Sequence, residues 1–251
     1  GHRNAGRRRL WCSVAMPLTH ALPHMLGVAL WRIELDEPFD DALRAELEPQ
    51  EWARAARFVF ERDRRRYLNG RHALRRLLGQ QLNTAPSDLR IAANAYGKPE
   101  LVSHRGVSFN ASHSQGLGLI ALLTPAAGPW QAVGVDVEVG PAPPDATALA
   151  DSAFDPSDAR ALAGVAEPNA HGAAFWRGWT RREAALKAIG TGFGRDDVRL
   201  ITTLGDGPVQ VDAHVGPAHW QLQLDSRLEP GLGAVAVAVA RLQSAGGPSS
   251  R

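Results

Sequence analysis

Asp136 and Glu138 stand two residues apart in the apolar run Ala132-Val133-Gly134-Val135-Asp136-Val137-Glu138-Val139. An extended chain sends alternate side chains to opposite faces, so both carboxylates share one face while the valines fill the other. Like charges this close repel. A hard cation such as magnesium relieves the repulsion by taking carboxylate oxygens while keeping positions for water and phosphate oxygens. The same spacing also describes a half-solvated strand with acidic outer positions, as in any antiparallel sheet. The dipeptide alone leaves both readings open.

Trp179, Glu183 and Lys187 recur every four residues, which stacks them on one helix face, while Ala184, Leu186 and Ile189 make an apolar side. A carboxylate one turn from an ammonium can serve as base and phosphate clamp, or it can be a surface bridge worth about 0.2–0.5 kcal/mol. Gly190-Thr191-Gly192 follows, with residues able to take the positive φ of a helix C-cap. Phe109-Asn110-Ala111-Ser112-His113-Ser114 supplies a cluster of polar donors, and Gly116 and Gly118 let the chain pass close to a ligand. Phosphate binding suits this cluster, although Asn110 and Ser112 could equally shape a turn. A serine-histidine hydrolase triad carries little weight, because no Gly-x-Ser-x-Gly elbow surrounds Ser112 or Ser114.

These side chains need elements to hold them. Leu26 to Leu35 reads as a strand on Val28, Leu30 and Ile33, with residues 1–24 as a flexible leader. Asp40 to Leu47 predicts a short helix, and Glu51 to Leu82 a long one that Gly70 interrupts. One side of it carries Trp52, Phe60, Tyr67 and Leu74, and the other nine arginines between Arg54 and Arg76. Among these, Arg62, Arg64, Arg65, Arg75 and Arg76 are expected on a solvated face. The polar cluster is expected to follow a strand at Gly106–Phe109. Further strands are predicted at Leu89–Ala92, Leu117–Leu123 and Gln131–Val139.

Gly140 to Pro144 breaks the chain. Helices are predicted beyond it at Asp145–Ala153, Pro156–Ala163 and His171–Ile189, then strands at Val198–Thr202, Val209–His214, Trp220–Leu224 and Gly233–Arg241. Helices followed by strands occur twice, so the expected class is α+β, with two related halves over residues 25–130 and 131–243 and a frayed tail at 244–251. No strict internal repeat accompanies this pattern.

Bulk properties narrow the partners. Hydrophobic residues at 44% and charged residues at 22% suit a chain that buries a core. The formal charge of +2 gives no support for nucleic-acid binding, although the arginine cluster makes a local anion site. Cys12 is the only cysteine, which excludes an internal disulfide framework and fits a reducing cytoplasm. No apolar run reaches the roughly 18–20 residues of a membrane span. The chain is therefore expected to be soluble, cytoplasmic and free of membrane partners. The N-terminus lacks a small-x-small cleavage site. Gly1-His2 reads as an expression scar and Met16 as nearer the native start.

Gly134-Val135-Asp136-Val137-Glu138, followed by Phe175-Trp176-Arg177-Gly178-Trp179-Thr180-Arg181-Arg182-Glu183-Ala184-Ala185-Leu186-Lys187-Ala188-Ile189-Gly190-Thr191-Gly192-Phe193, resembles the paired signature of Sfp-type phosphopantetheinyl transferases. Gly97-Lys98-Pro99 and the cluster from Phe109 to Ser114 resemble that family's upstream motifs in the expected order, so the likeness covers residues 54–193. One position departs: the family usually has lysine before the helix glutamate, where this chain has Arg182. Arginine offers a planar fork in place of a compact point charge, a poor proton donor.

The resemblance implies two pseudo-symmetric halves, each a small mostly antiparallel sheet packed with helices, with the active site between them. It implies transfer of 4'-phosphopantetheine from coenzyme A to a serine of an acyl or peptidyl carrier protein of fatty-acid, polyketide or peptide synthesis, by a monomer. Magnesium would be held by Asp136, Glu138 and Glu183. Glu183 would also act as base and Lys187 as phosphate clamp or acid. Arg54, Arg57, Arg66, Lys98, Ser112, His113 and Lys187 would bind coenzyme A. Asp158 resembles a further acidic position of the family. Two other readings of the residues compete: a magnesium-dependent phosphohydrolase, and a non-enzymatic module that binds an acidic partner through its basic helix.

Overall fold

The computed structural model describes residues 19–104, 106–124, 127–190 and 200–243. The N-terminal half opens with strands β1 (Thr19–Met25) and β2 (Val28–Glu34) and a short 3-10 turn at Asp41–Glu46. Helices α1 (Pro49–Ala55) and α2 (Glu61–Leu82) follow, then a small hairpin of β3 (Ile91–Ala93) and β4 (Pro99–Leu101). Strands β5 (Phe109–Ser114) and β6 (Leu117–Leu123) complete that half. The C-terminal half runs through β7 (Ala132–Glu138), α3 (Ala146–Ala153), α4 (Pro156–Ala163), α5 (Pro168–Ile189), β8 (Val209–Val215), β9 (Ala218–Glu229) and β10 (Gly233–Leu242). Each half is an antiparallel four-stranded sheet, in the orders β1-β2-β6-β5 and β7-β10-β9-β8. Each carries one 22-residue helix, α2 or α5.

The strand sequences explain the layering. In β10 the valines at 235, 237 and 239 point one way and the alanines at 236, 238 and 240 the other. The valines join Val133, Val135 and Val137 of β7, and Leu30, Leu117 and Leu119 of the first sheet, in one buried cluster. The two sheets therefore share a core. The alanines pack beneath Ala184, Ala185 and Ala188 of α5. Such small residues let the helix lie close: a Cβ on Gly134 of β7 would stand 2.0 Å from the Ala184 carbonyl oxygen. On the outer face of the first sheet, Leu74, Leu77 and Leu78 of α2 pack against Ile33, Ile120 and Leu122.

The halves also meet edge to edge. β5 and β7 each end a sheet, so each has unpaired backbone groups along one side. Side chains from β5 and the residue before it cap the β7 edge. The N–H of Val133 donates to Ser108 Oγ at 3.0 Å, that of Val135 to Asn110 Oδ1 at 2.9 Å, and that of Val139 to Ser114 Oγ at 3.1 Å. Alternate residues face one way along an extended strand, which is why the polar positions are two apart.

Several expectations need correction. Residues 19–24 belong to a strand, not to a leader. The polar cluster is itself β5, where a strand was expected to end at Phe109. The long helix is two, parted at residues 56–60, where Phe58-Val59-Phe60 puts three poor helix formers in a row. Gly70 does not interrupt α2. Arg75 and Arg76 are not on a solvated face: Arg75 is fully buried, its guanidinium held by Glu48, by Glu51 at 2.7 Å and by the Pro86 and Leu89 carbonyls, and Arg76 pairs with Glu46. Of the strand expected at Val198–Thr202, residues 200–202 are not in a strand and 198–199 lie outside the described residues, as do 191–193 of the signature, residues 1–18 of the leader and the tail. The short helix at Asp40–Leu47 is a 3-10 turn, and β4 was not foreseen.

Candidate active site

A cleft of about 1090 Å³ opens between the halves. From the C-terminal half Asp136, Glu138, Trp179, Glu183 and Lys187 reach it, and from the N-terminal half Arg54, Arg66, Ser112 and His113. The close seating of α5 on β7 brings Lys187 to Asp136: its Nζ donates to Asp136 Oδ1 at 2.6 Å and to Ser112 Oγ at 2.9 Å. Ser112 Oγ donates in turn to the same Oδ1 at 2.9 Å. A strand, a helix and the facing half thus converge on one carboxylate oxygen. The other, Oδ2, is buried without a hydrogen-bond partner among the described residues.

Charge is costly here. Burial pushes the Asp136 carboxyl above its ordinary range, opposed by Lys187 and Ser112. Glu138 is raised by burial and by the Asp136 charge, while Ser114 Oγ donates to its Oε2 at 3.0 Å. Glu183 is raised by burial and then by Asp136. Three carboxyls held above their usual range line one cleft, where a cation would offset the cost of ionising them. Among the described residues no three His, Cys, Asp or Glu side chains form a ready metal cage. Magnesium does not need one, since it keeps water and phosphate oxygens in its shell.

The comparisons divide where the halves do. Residues 31–123 match the model of the 4'-phosphopantetheinyl transferase N-terminal region, and residues 132–240 that of the 4'-phosphopantetheinyl transferase superfamily. The 4'-phosphopantetheinyl transferase HetI of Nostoc sp. is 36% identical over 182 residues, covering 70% of this chain and 74% of that protein. The chain belongs to the 4'-phosphopantetheinyl transferase superfamily. A Synechocystis sp. protein provisionally named as the same transferase is 35% identical over 165 residues, 65% of each chain. An L-aminoadipate-semialdehyde dehydrogenase-phosphopantetheinyl transferase of Pongo abelii is 28% identical over 176 residues, 66% of this chain and about half, 55%, of its own length.

The phosphopantetheinyl transferase is therefore an enzyme that moves 4'-phosphopantetheine from coenzyme A to a carrier protein. Neither phosphate hydrolysis nor passive binding is favoured. No helix among its described residues is long and apolar enough to cross a membrane.

Not every residue singled out in the sequence reaches the cleft of this transferase. Arg54 does, stacked over Tyr67 at 5.3 Å from the ring centre, but Arg57 is exposed and outside the lining. Lys98 lines a separate cavity of about 430 Å³, where its Nζ donates to the carbonyls of Val133 and Ala188 at 3.2 and 2.9 Å. Burial lowers its pKa to about 8. Asp158 is buried away from the cleft and accepts from Thr202 N at 2.8 Å and Thr202 Oγ1 at 3.2 Å. Arg182 lies beside the site, Nη1 at 3.6 Å from Glu183 Oε1. Asp36, which grips Arg66, and Phe58, which lines the cleft, were not anticipated. No local motif marks Asp36, because its partner lies 30 residues away.

Proposed function

We propose that the cleft binds coenzyme A with its diphosphate over Asp136, Glu138 and Glu183, and that these carboxylates hold magnesium. The observation that carries this reading is Asp136 itself, with one oxygen shared by Lys187 and Ser112 and the other buried without a partner among the described residues. Magnesium would neutralise charge on the diphosphate as it is cleaved. Arg54, Arg66, Ser112 and His113 bind donor phosphates from the N-terminal side, arginine forks being matched to phosphate oxygens. Arg57 and Lys98 lie outside this contact set, Lys98 tying the halves together instead.

The carrier's serine oxygen forms the new bond to phosphorus while the bond from phosphorus to the nucleotide phosphate breaks, leaving holo carrier protein and adenosine 3',5'-bisphosphate. Glu183 takes the serine proton, a task that its raised pKa favours by making it a stronger base. Lys187 neutralises the departing phosphate. The acceptor is an acyl or peptidyl carrier protein, and the enzyme works as a cytoplasmic monomer.

Titrating magnesium into the protein in a calorimeter tests the metal assignment apart from catalysis. Saturable heat is expected with the wild type and none with Asp136→Ala. Equal binding by both would remove Asp136 from the metal site.

A further inference from the structure

Arg66 reaches the cleft from α2, and its guanidinium is engaged along one edge. Nε donates to Asp36 Oδ1 at 2.6 Å and Nη2 to Asp36 Oδ2 at 2.9 Å. This two-point pairing fixes the plane of the fork. The opposite end, Nη1 with the outer hydrogen of Nη2, donates to no protein acceptor among the described residues. Asp36 is itself held in place. It lies two residues beyond β2, and the preceding Leu35 N–H donates to the Gly116 carbonyl at 2.8 Å. A Cβ on Gly116 would lie 2.0 Å from Asp36 Oδ2, so glycine in the β5–β6 turn makes room for the carboxylate.

We propose that Asp36 is a positioning residue for the donor substrate: it clamps Arg66 so that the free Nη1–Nη2 end of the guanidinium meets a phosphate of coenzyme A. The inference rests on the reading of the cleft as the coenzyme A site. An arginine that samples many rotamers must be ordered by its ligand, whereas one already clamped contributes its hydrogen bonds without that entropic cost. Arg65 also bears on Asp36 and offsets its charge, while Asp63, the acidic residue of α2 at the cleft, is paired with Arg62 at 3.1 Å. The opposite role, in which Asp36 mimics phosphate and competes for Arg66, makes the opposite prediction.

Coenzyme A is titrated into wild type, Asp36→Asn, Asp36→Ala, Arg66→Gln and the Asp36→Ala/Arg66→Gln pair, with turnover measured alongside. The Asp36 side chain is 50% exposed, so these variants keep the fold, which melting curves verify. Asp36→Ala is expected to weaken coenzyme A binding about tenfold, Asp36→Asn less, and the double variant no more than Arg66→Gln alone, the signature of two residues acting as one unit. Turnover of Asp36→Asn and Asp36→Ala at saturating coenzyme A stays within about twofold of wild type, the loss falling on KM. Unchanged or tighter binding by Asp36→Ala overturns the inference, as does its full loss recurring on top of Arg66→Gln. Wild type that fails to bind coenzyme A removes the cleft reading with it. The other failures leave that reading intact.

Discussion

Lys187 and Lys98 show how one residue type takes two roles according to what surrounds it. Lys187 meets a carboxylate oxygen and a serine hydroxyl at the cleft, and in the proposed reaction its charge serves the departing phosphate. Replacing it with alanine is expected to cut kcat by on the order of 10²–10³, the loss seen when one preorganised charge donor is removed. An intact rate in a carrier-loading assay would take it out of the mechanism. Lys98 instead spends its charge on two backbone carbonyls, Val133 in β7 and Ala188 in α5. Its pKa falls from 10.5 to about 8. Between those values the unfolded chain still binds a proton that the folded chain has released, so folding stability contributed at this site rises with pH. The unfolding free-energy difference between wild type and Lys98→Met should therefore be flat below pH 8 and shift in favour of wild type above it. A difference independent of pH would contradict the buried assignment. From the sequence, both lysines were candidate phosphate ligands. Nothing in Gly97-Lys98-Pro99 shows that the side chain turns toward carbonyls some 35 and 90 residues away.

At the scale of elements, the seating of α5 on β7 does most to build the site. Gly134 permits it, with Ala184 O and Ala188 N at 2.0 and 2.5 Å from where a Cβ would stand. Gly134→Ala should push the helix outward, costing about 1–3 kcal/mol in a urea titration, the usual range for overpacking. It should lower kcat as well, since Glu183 and Lys187 move with α5. A stable, fully active variant would mean that the close approach is incidental.

The elements themselves were unevenly legible. The apolar run of β6 and the proline-started α4 match their expected bounds, because their signals are local: an unbroken hydrophobic stretch, and Pro156 beside the capping Asp155. The break between α1 and α2 was missed because Trp52, Ala56, Val59 and Phe60 keep an apolar side at helical spacing through residues 56–60 while the backbone does not stay helical. The buried Arg75 was missed because its partners, Glu51 of α1 and the N-cap Glu48 before it, belong to a separate element folded back on α2. An arginine reads as exposed until its acceptors are known.

The molecule as a whole is two sheets back to back, each with a long helix on its outer face, joined by a shared valine-rich core and by the capped edges of β5 and β7. That joint is where the proposed chemistry lies. Ser112 and Ser114 stand on one strand edge and Asp136 and Glu138 on the other, each serine hydroxyl donating to the carboxylate opposite at 2.9 and 3.0 Å. The pairing of acidic residues was legible in the sequence as a shared strand face. Their meeting with the serines was not, because it depends on two sheets abutting. The most direct test of the whole account is the mass of an apo carrier protein after incubation with coenzyme A, magnesium and enzyme. Wild type should add one phosphopantetheine per carrier, and Asp136→Ala, verified as folded by its melting curve, should add none. Carrier loaded equally by that variant would contradict the placement of the reaction at this cleft.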